Sequence, residues 1–233
     1  MTPVNERLAR AFDGLAGDYD DAHHDAIATE LTDWLAPAAE EVVADVACGT
    51  GAVALAVARR RAAHGPAEVA DPTPATDPAP VSGTGAWAPV RRPVLAVDLS
   101  AGMVAAGRAR AERAGFAAAV DWRVAAAVPL PVPDGSVDVL LCASSLHFLG
   151  TAAPADWLRA VRPGGRVGFS LPVASGFRPG GVFAELVAGD LVLPETVAEA
   201  VLLAGSWGFA RPEARILTLG TRAVVLVRAA VPA

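Results

Sequence analysis

The chain has 233 residues, of which 53% are hydrophobic, and its formal net charge is −6 at pH 7. This length is enough to bury one substantial core, and the negative charge argues against a nucleic-acid partner, since binding a phosphate backbone requires clustered Lys and Arg. The first residues show no basic segment followed by an apolar run. Gly, Pro or charged residues also interrupt the apolar stretches before they reach membrane-spanning length, so we expect a cytoplasmic protein without a membrane partner.

The first half of the chain predicts a helix, a strand–turn–helix unit and an insertion. Apolar residues at helical spacing predict a helix that Pro37 ends, within an N-terminal helical cap of residues 1–37. A buried strand at 42–46 leads through Gly49-Thr50-Gly51 into an Ala-rich helix. Residues 65–93 are rich in Pro, Ala, Thr, Gly and Asp, a composition that predicts a flexible insertion.

The rest of the chain predicts alternating strands and helices that end in a hairpin. Strands are expected at 94–97, 120–124, 137–142 and 166–171, and helices at 101–114, 155–161 and 195–203. Two further strands, 214–219 and 222–228, flank Gly220 and Thr221 as a β-hairpin. Because alternation implies a parallel sheet, we expect a doubly wound, Rossmann-like α/β fold with a mostly parallel sheet and a C-terminal β-hairpin. The whole chain, 1–233, is expected to form one domain, with its core in 38–64 and 94–233.

Cysteine and histidine usage does not predict a metal site. Cys48 and Cys142 stand at the ends of apolar runs and are too few for a disulfide framework or a thiolate metal site. We therefore expect both to be small buried side chains. The histidines show no metal-ligand spacing, and the adjacent pair His23 and His24 is expected on a solvated helix surface near the mouth of a pocket.

The glycine turn and an acidic residue downstream suggest a nucleotide-like ligand. A glycine turn between a strand and a helix lets the backbone approach a ligand and aims N–H groups at it. Asp98 follows the next strand, where a carboxylate can accept both hydroxyl protons of a ribose. Such an acid is expected about 20 residues after the glycines. Asp98 fits that spacing once the predicted insertion is removed.

The segment from Asp45 to Gly51, DVACGTG, resembles the first motif of class I S-adenosylmethionine-dependent methyltransferases, in which an acid precedes the glycines. A dinucleotide fingerprint would instead carry a third glycine near Val53 or Ala54. Val97-Asp98-Leu99-Ser100 with Met103 is similar to the second motif of the family. Residues 131–138, 146–148 and 162–166 resemble three further landmarks of the family, in the same order. The resemblance therefore covers about residues 10–170.

The resemblance implies S-adenosylmethionine as cofactor and assigns residues to it. Asp98 would bind the ribose, Leu99 would pack on the adenine, and Asp45 would contact the cofactor or brace the glycine turn. Tyr19 would lie over the methionine end. The cofactor-binding residues expected in this way are Tyr19, Asp45, Ala47, Cys48, Gly49, Gly51, Asp98, Leu99, Met103, Ala126, Ala127 and Ala143. Ala126 departs from the family, which usually has Asp or another polar residue there to bind the adenine amine. Losing one such hydrogen bond costs about 0.5–1.5 kcal/mol.

His147 is the candidate catalytic residue. It follows the strand expected at 137–142, and the carboxyl ends of strands in a doubly wound sheet face the ligand crevice. An imidazole at that edge can deprotonate a substrate hydroxyl, but it can equally pack against substrate or cofactor, or serve the structure at a distance. The sequence leaves these three roles open.

The function that the resemblance implies is methyl transfer to an O, N or C nucleophile of a small metabolite, in secondary metabolism, by a monomer or homodimer. Two alternatives remain open at this stage. The chain can bind S-adenosylmethionine without transferring its methyl group, as a cyclase or another non-methylating enzyme. It can also be a degenerate regulatory subunit, for which failure to bind the cofactor would be the signature.

Overall fold

The computed structural model describes residues 3–17, 22–63 and 92–233. The predicted insertion lies outside these ranges except for its last two residues, as does Tyr19. The helices are α1 (Pro3–Asp13), α2 (Ala22–Leu35), α3 (Ala52–Ala63), α4 (Ala101–Arg113), α5 (Leu146–Leu149), α6 (Ala152–Ala160) and α7 (Val197–Ser206). The strands are β1 (Val43–Val46), β2 (Val94–Asp98), β3 (Val120–Val124), β4 (Val137–Cys142), β5 (Val161–Pro172), β6 (Ala210–Leu219) and β7 (Arg222–Ala230).

Within the described ranges these strands form one sheet in the order β3-β2-β1-β4-β5-β7-β6. Strands β1 to β5 run parallel, and Ala44 in β1 faces Leu95 in β2 and Leu140 in β4. Strand β7 inserts antiparallel between β5 and β6 and forms the hairpin with β6. The expected mostly parallel, doubly wound sheet with a C-terminal hairpin is confirmed. The strand order reverses beside β1, which is where such sheets open a crevice at their carboxyl edge.

The core lies on both faces of the sheet, because successive side chains of a strand point to opposite faces. In β4, Leu140 and Cys142 join the apolar cluster on one face, whereas Val139 and Leu141 join the cluster on the other. Both cysteines are buried and unpaired, as expected. Within the part of the chain that the structure describes, each helix is too short or too polar to span a bilayer.

The structure extends two strands beyond their predicted starts. Strand β5 begins at Val161, which faces Val137, because the Pro163-Gly164-Gly165 segment bulges within the strand instead of ending it. Strand β6 begins at Ala210, which faces Ala230, and an irregularity follows before pairing resumes. Helices α1 and α5 had no separate prediction from the sequence.

Candidate active site

A cavity lies at the carboxyl edge of the sheet, beside β1 and β4, where the strand order reverses. We call it the first cavity. Its walls include the ends of β1 and β2, the turn into α3, and the segments that follow β3 and β4. The turn is fastened to β2 by the Cys48 N–H, which donates to the Val97 carbonyl at 3.0 Å. The crevice predicted from strand order is therefore present and lined by the glycine turn.

Asp98 presents a fixed carboxylate to this cavity. Its Oδ2 accepts the Gly49 N–H at 2.8 Å, and its Oδ1 accepts the Ser100 N–H at 2.8 Å. Burial raises the pKa of Asp98 above its ordinary value, although the backbone N–H groups act against that rise. Each carboxylate oxygen has two lone pairs, so both oxygens keep the capacity to accept a ligand hydroxyl.

Asp45 is the second carboxylate of the first cavity and is only 2% exposed. Its Oδ2 accepts the Ala54 N–H at 2.9 Å, in the first turn of α3. Burial raises the pKa of Asp45 to about 7, and the nearby Asp98 adds to that rise. A carboxylate in this state favours a cationic ligand group, because a positive charge nearby stabilises its ionised form.

Two non-glycine residues have left-handed backbones where the chain leaves β1 and β4. Ala47 (φ +52°) directly follows β1, and Ser144 (φ +60°) follows β4. The Ser144 N–H donates to the buried Ser170 Oγ at 2.7 Å, and the Ser145 hydroxyl donates to the Ala47 carbonyl at 3.1 Å. Backbone strain of this kind persists only where the surroundings hold it, and it clusters at ligand sites. The sequence reasoning missed these serines; the only signal was the Ser-Ser step soon after a buried strand.

Helix α1, which lies within the predicted helical cap, covers one side of the first cavity, a role that the sequence did not assign to it. Its apolar side chains recur every four residues, at Val4, Leu8 and Phe12, and this face lines the cavity. At its end, the Asp13 Oδ1 accepts the Ser100 hydroxyl at 2.5 Å and the Gly102 N–H at 2.9 Å. These bonds fasten α1 to the N-terminus of α4, directly beside the Asp98 carboxylate.

A second, wider cavity of about 580 Å³ adjoins the first. Phe12, His24 and Phe148 line both cavities and so form a shared wall. His147 lines the second cavity, not the first, and its ring lies 4.1 Å from the Phe148 ring and 5.1 Å from that of Phe177, between centroids.

His147 is a neutral, buried imidazole. The side chain is 6% exposed, and burial lowers its pKa to about 4. Its Nδ1 has no hydrogen-bond partner among the described residues. That atom is enclosed by protein and does not face the open space of the cavity. His147 contributes a neutral ring to the lining of the second cavity.

The predicted cofactor-binding residues divide into three groups. Those that line the first cavity are Asp45, Ala47, Cys48, Gly49, Asp98, Leu99, Ala126, Ala127 and Ala143. Met103 and Gly51 lie behind the walls: Met103 is buried at the start of α4, and a Cβ on Gly51 (φ +79°) would lie 2.3 Å from the Trp122 ring. Tyr19 is outside the described residues.

The solvated surface expected for His23 and His24 is wrong. Both side chains are half-buried, and both line the second cavity. The reason is the placement of α2, whose first turn faces the cavity wall instead of solvent. Their spacing of four and three residues before Ile27 places both histidines on the buried side of α2, a signal that the sequence reasoning did not use.

The chain is similar to known methyltransferases in sequence, and to solved structures in fold. A family model described as a methyltransferase domain matches residues 81–169. The ubiquinone/menaquinone biosynthesis C-methyltransferase UbiE of Dinoroseobacter shibae is 32% identical over 140 residues, which are 59% of this chain and 44% of that protein. The chain thus covers less than half the length of this relative.

Solved structures share the fold across nearly the whole chain. Geranyl diphosphate C-methyltransferase from Streptomyces coelicolor, in complex with Mg²⁺, geranyl diphosphate and S-adenosyl-L-homocysteine, aligns with a TM-score of 0.61 at 16% identity, covering 98% of each chain. The cyclase SpnF aligns with a TM-score of 0.63 at 17% identity, covering 99% of this chain and 98% of its own. At these identities the likeness shows the architecture.

Proposed function

We propose that this chain is a class I S-adenosylmethionine-dependent methyltransferase, which transfers a methyl group to an O, N or C nucleophile of a small metabolite. The observation that carries the proposal is the shared wall of Phe12, His24 and Phe148 between the two cavities. A group-transfer enzyme needs donor and acceptor in adjoining compartments, so that the reacting atoms meet in line. Holding two reactants in such a geometry contributes about 7–11 kcal/mol to lowering the barrier.

The residues of the first cavity fit S-adenosylmethionine. This cofactor supplies a methyl group on a positively charged sulfonium, and S-adenosylhomocysteine is the leaving group when an electron-rich atom of the acceptor takes that methyl. The cavity contains two buried carboxylates, Asp45 and Asp98, and among the described residues it has no Lys or Arg in its lining. A cationic ligand relieves the cost of keeping such carboxylates charged in a buried site.

Each part of the first cavity has a role toward this cofactor. Asp98 would accept the ribose hydroxyls with the lone pairs that Gly49 and Ser100 leave free. Asp45 would face the positive methionine end. Leu99 and the segment from Ala126 would form an apolar slot for the adenine. Because Ala126 offers no side-chain acceptor, the amine of the adenine would depend on backbone or water.

We assign His147 a positioning role rather than that of a general base. A group with a pKa of about 4 is neutral at physiological pH, but it holds a proton weakly and removes one from a hydroxyl with little driving force. The same neutral ring can still share a hydrogen bond with the acceptor. Wedged between Phe148 and Phe177, it would orient that acceptor toward the shared wall.

Incubation with cofactor that carries a deuterated methyl group, in the presence of fractionated bacterial metabolites, tests the function. We expect S-adenosylhomocysteine to accumulate and one metabolite to gain a single labelled methyl group, as seen by mass spectrometry. Asp98→Asn should abolish most of this signal. Asp121→Asn, an equivalent change at an exposed position of β3, should not.

Two outcomes of this experiment would contradict the proposal. Cofactor that binds but is never consumed, while a metabolite rearranges without gaining mass, would indicate a cyclase. A folded chain that fails to bind the cofactor in calorimetry would indicate a regulatory subunit.

A further inference from the structure

The two cavities carry charges of opposite sign. The first contains the carboxylates of Asp45 and Asp98. The second contains the guanidinium groups of Arg178 and Arg222, and none of its described lining residues is Asp or Glu. The separation suggests that the two cavities hold ligands of different charge.

The two arginines of the second cavity are not used by the fold. Within the described ranges some arginines pair with carboxylates, as Arg123 does with Asp121 and Arg228 with Glu213, both at 2.8 Å, whereas exposed arginines such as Arg59 and Arg113 do not. Within the described ranges neither Arg178 nor Arg222 has a carboxylate partner; Arg178 donates only to the neighbouring Phe177 carbonyl at 2.9 Å. Guanidinium groups recognise carboxylate and phosphate through paired N–H donors, so free ones at a cavity rim suit an anion.

Four phenylalanines give the second cavity an aromatic surface. The Phe12 ring lies 5.6 Å from the Phe148 ring and 5.2 Å from the Phe183 ring, between centroids. Phe177 completes the lining on the far side of His147. Such rings contribute large apolar areas and accept flat or unsaturated groups against their faces. The lining also includes the polar side chains of His23, His24, Ser144, His147, Ser170 and Thr221.

We propose that the acceptor is an apolar molecule that carries a carboxylate or phosphate at one end. The apolar body would lie among the four phenylalanines, with the reacting atom at the shared wall. The anionic end would lie at the rim, between Arg178 on the loop after β5 and Arg222 at the start of β7. The inference rests on the proposed function, because that function places the acceptor in the second cavity.

Three probes with the same ring system test this assignment: 2-naphthoate, 2-naphthyl phosphate and methyl 2-naphthoate. Each is titrated by calorimetry into protein saturated with S-adenosylhomocysteine, so the result does not depend on methyl transfer. Saturation is checked first, and failure at that step counts against the proposed function rather than against the acceptor. The double variant Arg178→Gln/Arg222→Gln removes both cations. Arg113→Gln, an exposed position at the end of α4 away from the carboxyl edge, is the matched control.

We expect both anions to bind about tenfold or more tightly than the ester, as two charge-assisted contacts allow. The double variant should lose that advantage and bind the ester within about twofold of the unaltered protein, with an unchanged melting temperature. The control should behave as the unaltered protein. Tighter binding of one anion than the other identifies phosphate or carboxylate as the natural group. Equal binding of all three probes, no binding of any, or an equal loss in the Arg113 variant would overturn the proposal.

Discussion

The buried carboxylate of Asp45 makes the stability of the free protein depend on pH, and replacing it with Asn removes that dependence. Burial raises the pKa of Asp45 from its ordinary 3.8 to about 7, so between these values the folded chain holds a proton that the unfolded chain releases. The stability from this group is present at low pH and is lost as the pH rises through about 7. Asn keeps an oxygen that can accept the Ala54 N–H but carries no charge.

The size of the effect follows from the two pKa values. Each pKa unit corresponds to about 1.4 kcal/mol, so full ionisation of the buried carboxylate costs at most about 4 kcal/mol. Between about pH 5 and pH 8, the stability of Asp45→Asn relative to the unaltered protein should rise by about 2–3 kcal/mol. For a chain of this length that is a relative increase of roughly 5–10 °C in melting temperature.

Thermal unfolding without ligand, measured across this pH range, checks the prediction, and Asp121→Asn serves as the control because that carboxylate is exposed. Calorimetric titration of S-adenosylhomocysteine should show the opposite trend, with weaker binding to Asp45→Asn at high pH. A difference in melting temperature that does not change with pH, or an Asn variant that is less stable than the unaltered protein at pH 8, would refute the reasoning.

Four other predictions concern single residues. Asp98→Asn should weaken S-adenosylhomocysteine binding by about 10- to 100-fold with little change in melting temperature, because a charged acceptor for the ribose is lost; calorimetry measures it, and unchanged affinity would remove the ribose assignment. Gly51→Ala should lower the free energy of unfolding in urea by about 2–5 kcal/mol, since its Cβ meets the Trp122 indole ring. Gly115→Ala, at a similar φ but in open space, should lower it by about 1–2 kcal/mol. Equal losses would contradict the packing of Gly51 against the ring. Ala126→Asp should tighten cofactor binding by about tenfold or less, and a sharp loss would show that this segment does not face the adenine. His147→Gln should raise KM for the acceptor, while kcat stays within about tenfold of the unaltered enzyme and does not change with pH above about pH 6. A fall of about 10²- to 10⁴-fold in kcat, with an unaltered enzyme whose rate rises with pH through the histidine pKa, would show general-base catalysis instead.

The sequence predicted the sheet and the first cavity well because both depend on local patterns. Apolar runs bounded by Gly, Pro and charge mark the strands, and acids near the carboxyl ends of parallel strands meet at one edge of the sheet. For that reason Asp45 and Asp98 lie in one cavity, as the motif resemblance implied. The strand starts at Val161 and Ala210 were missed, because turn-forming residues there lie within a strand that its neighbours hold extended.

The second cavity was not predictable, since its walls come from distant parts of the chain. Phe12 on α1 meets Phe148 and Phe183 only after the chain has folded. Arg178 lies on the loop after β5 and Arg222 at the start of β7, in segments that carry no motif, and nothing in the sequence links the two arginines. The burial that lowers the pKa of His147 is likewise a tertiary effect. Local periodicity does not report which of these side chains share a cavity.

The most direct measurement of the central claim is a crystal structure of the protein with S-adenosylhomocysteine. The account predicts ribose hydroxyls on the Asp98 carboxylate, the adenine between Leu99 and Ala126, and the sulfur directed at the wall that Phe12 and Phe148 share with the second cavity. A ligand bound elsewhere, or one whose sulfur points away from that wall, would contradict the proposed transfer between the two cavities.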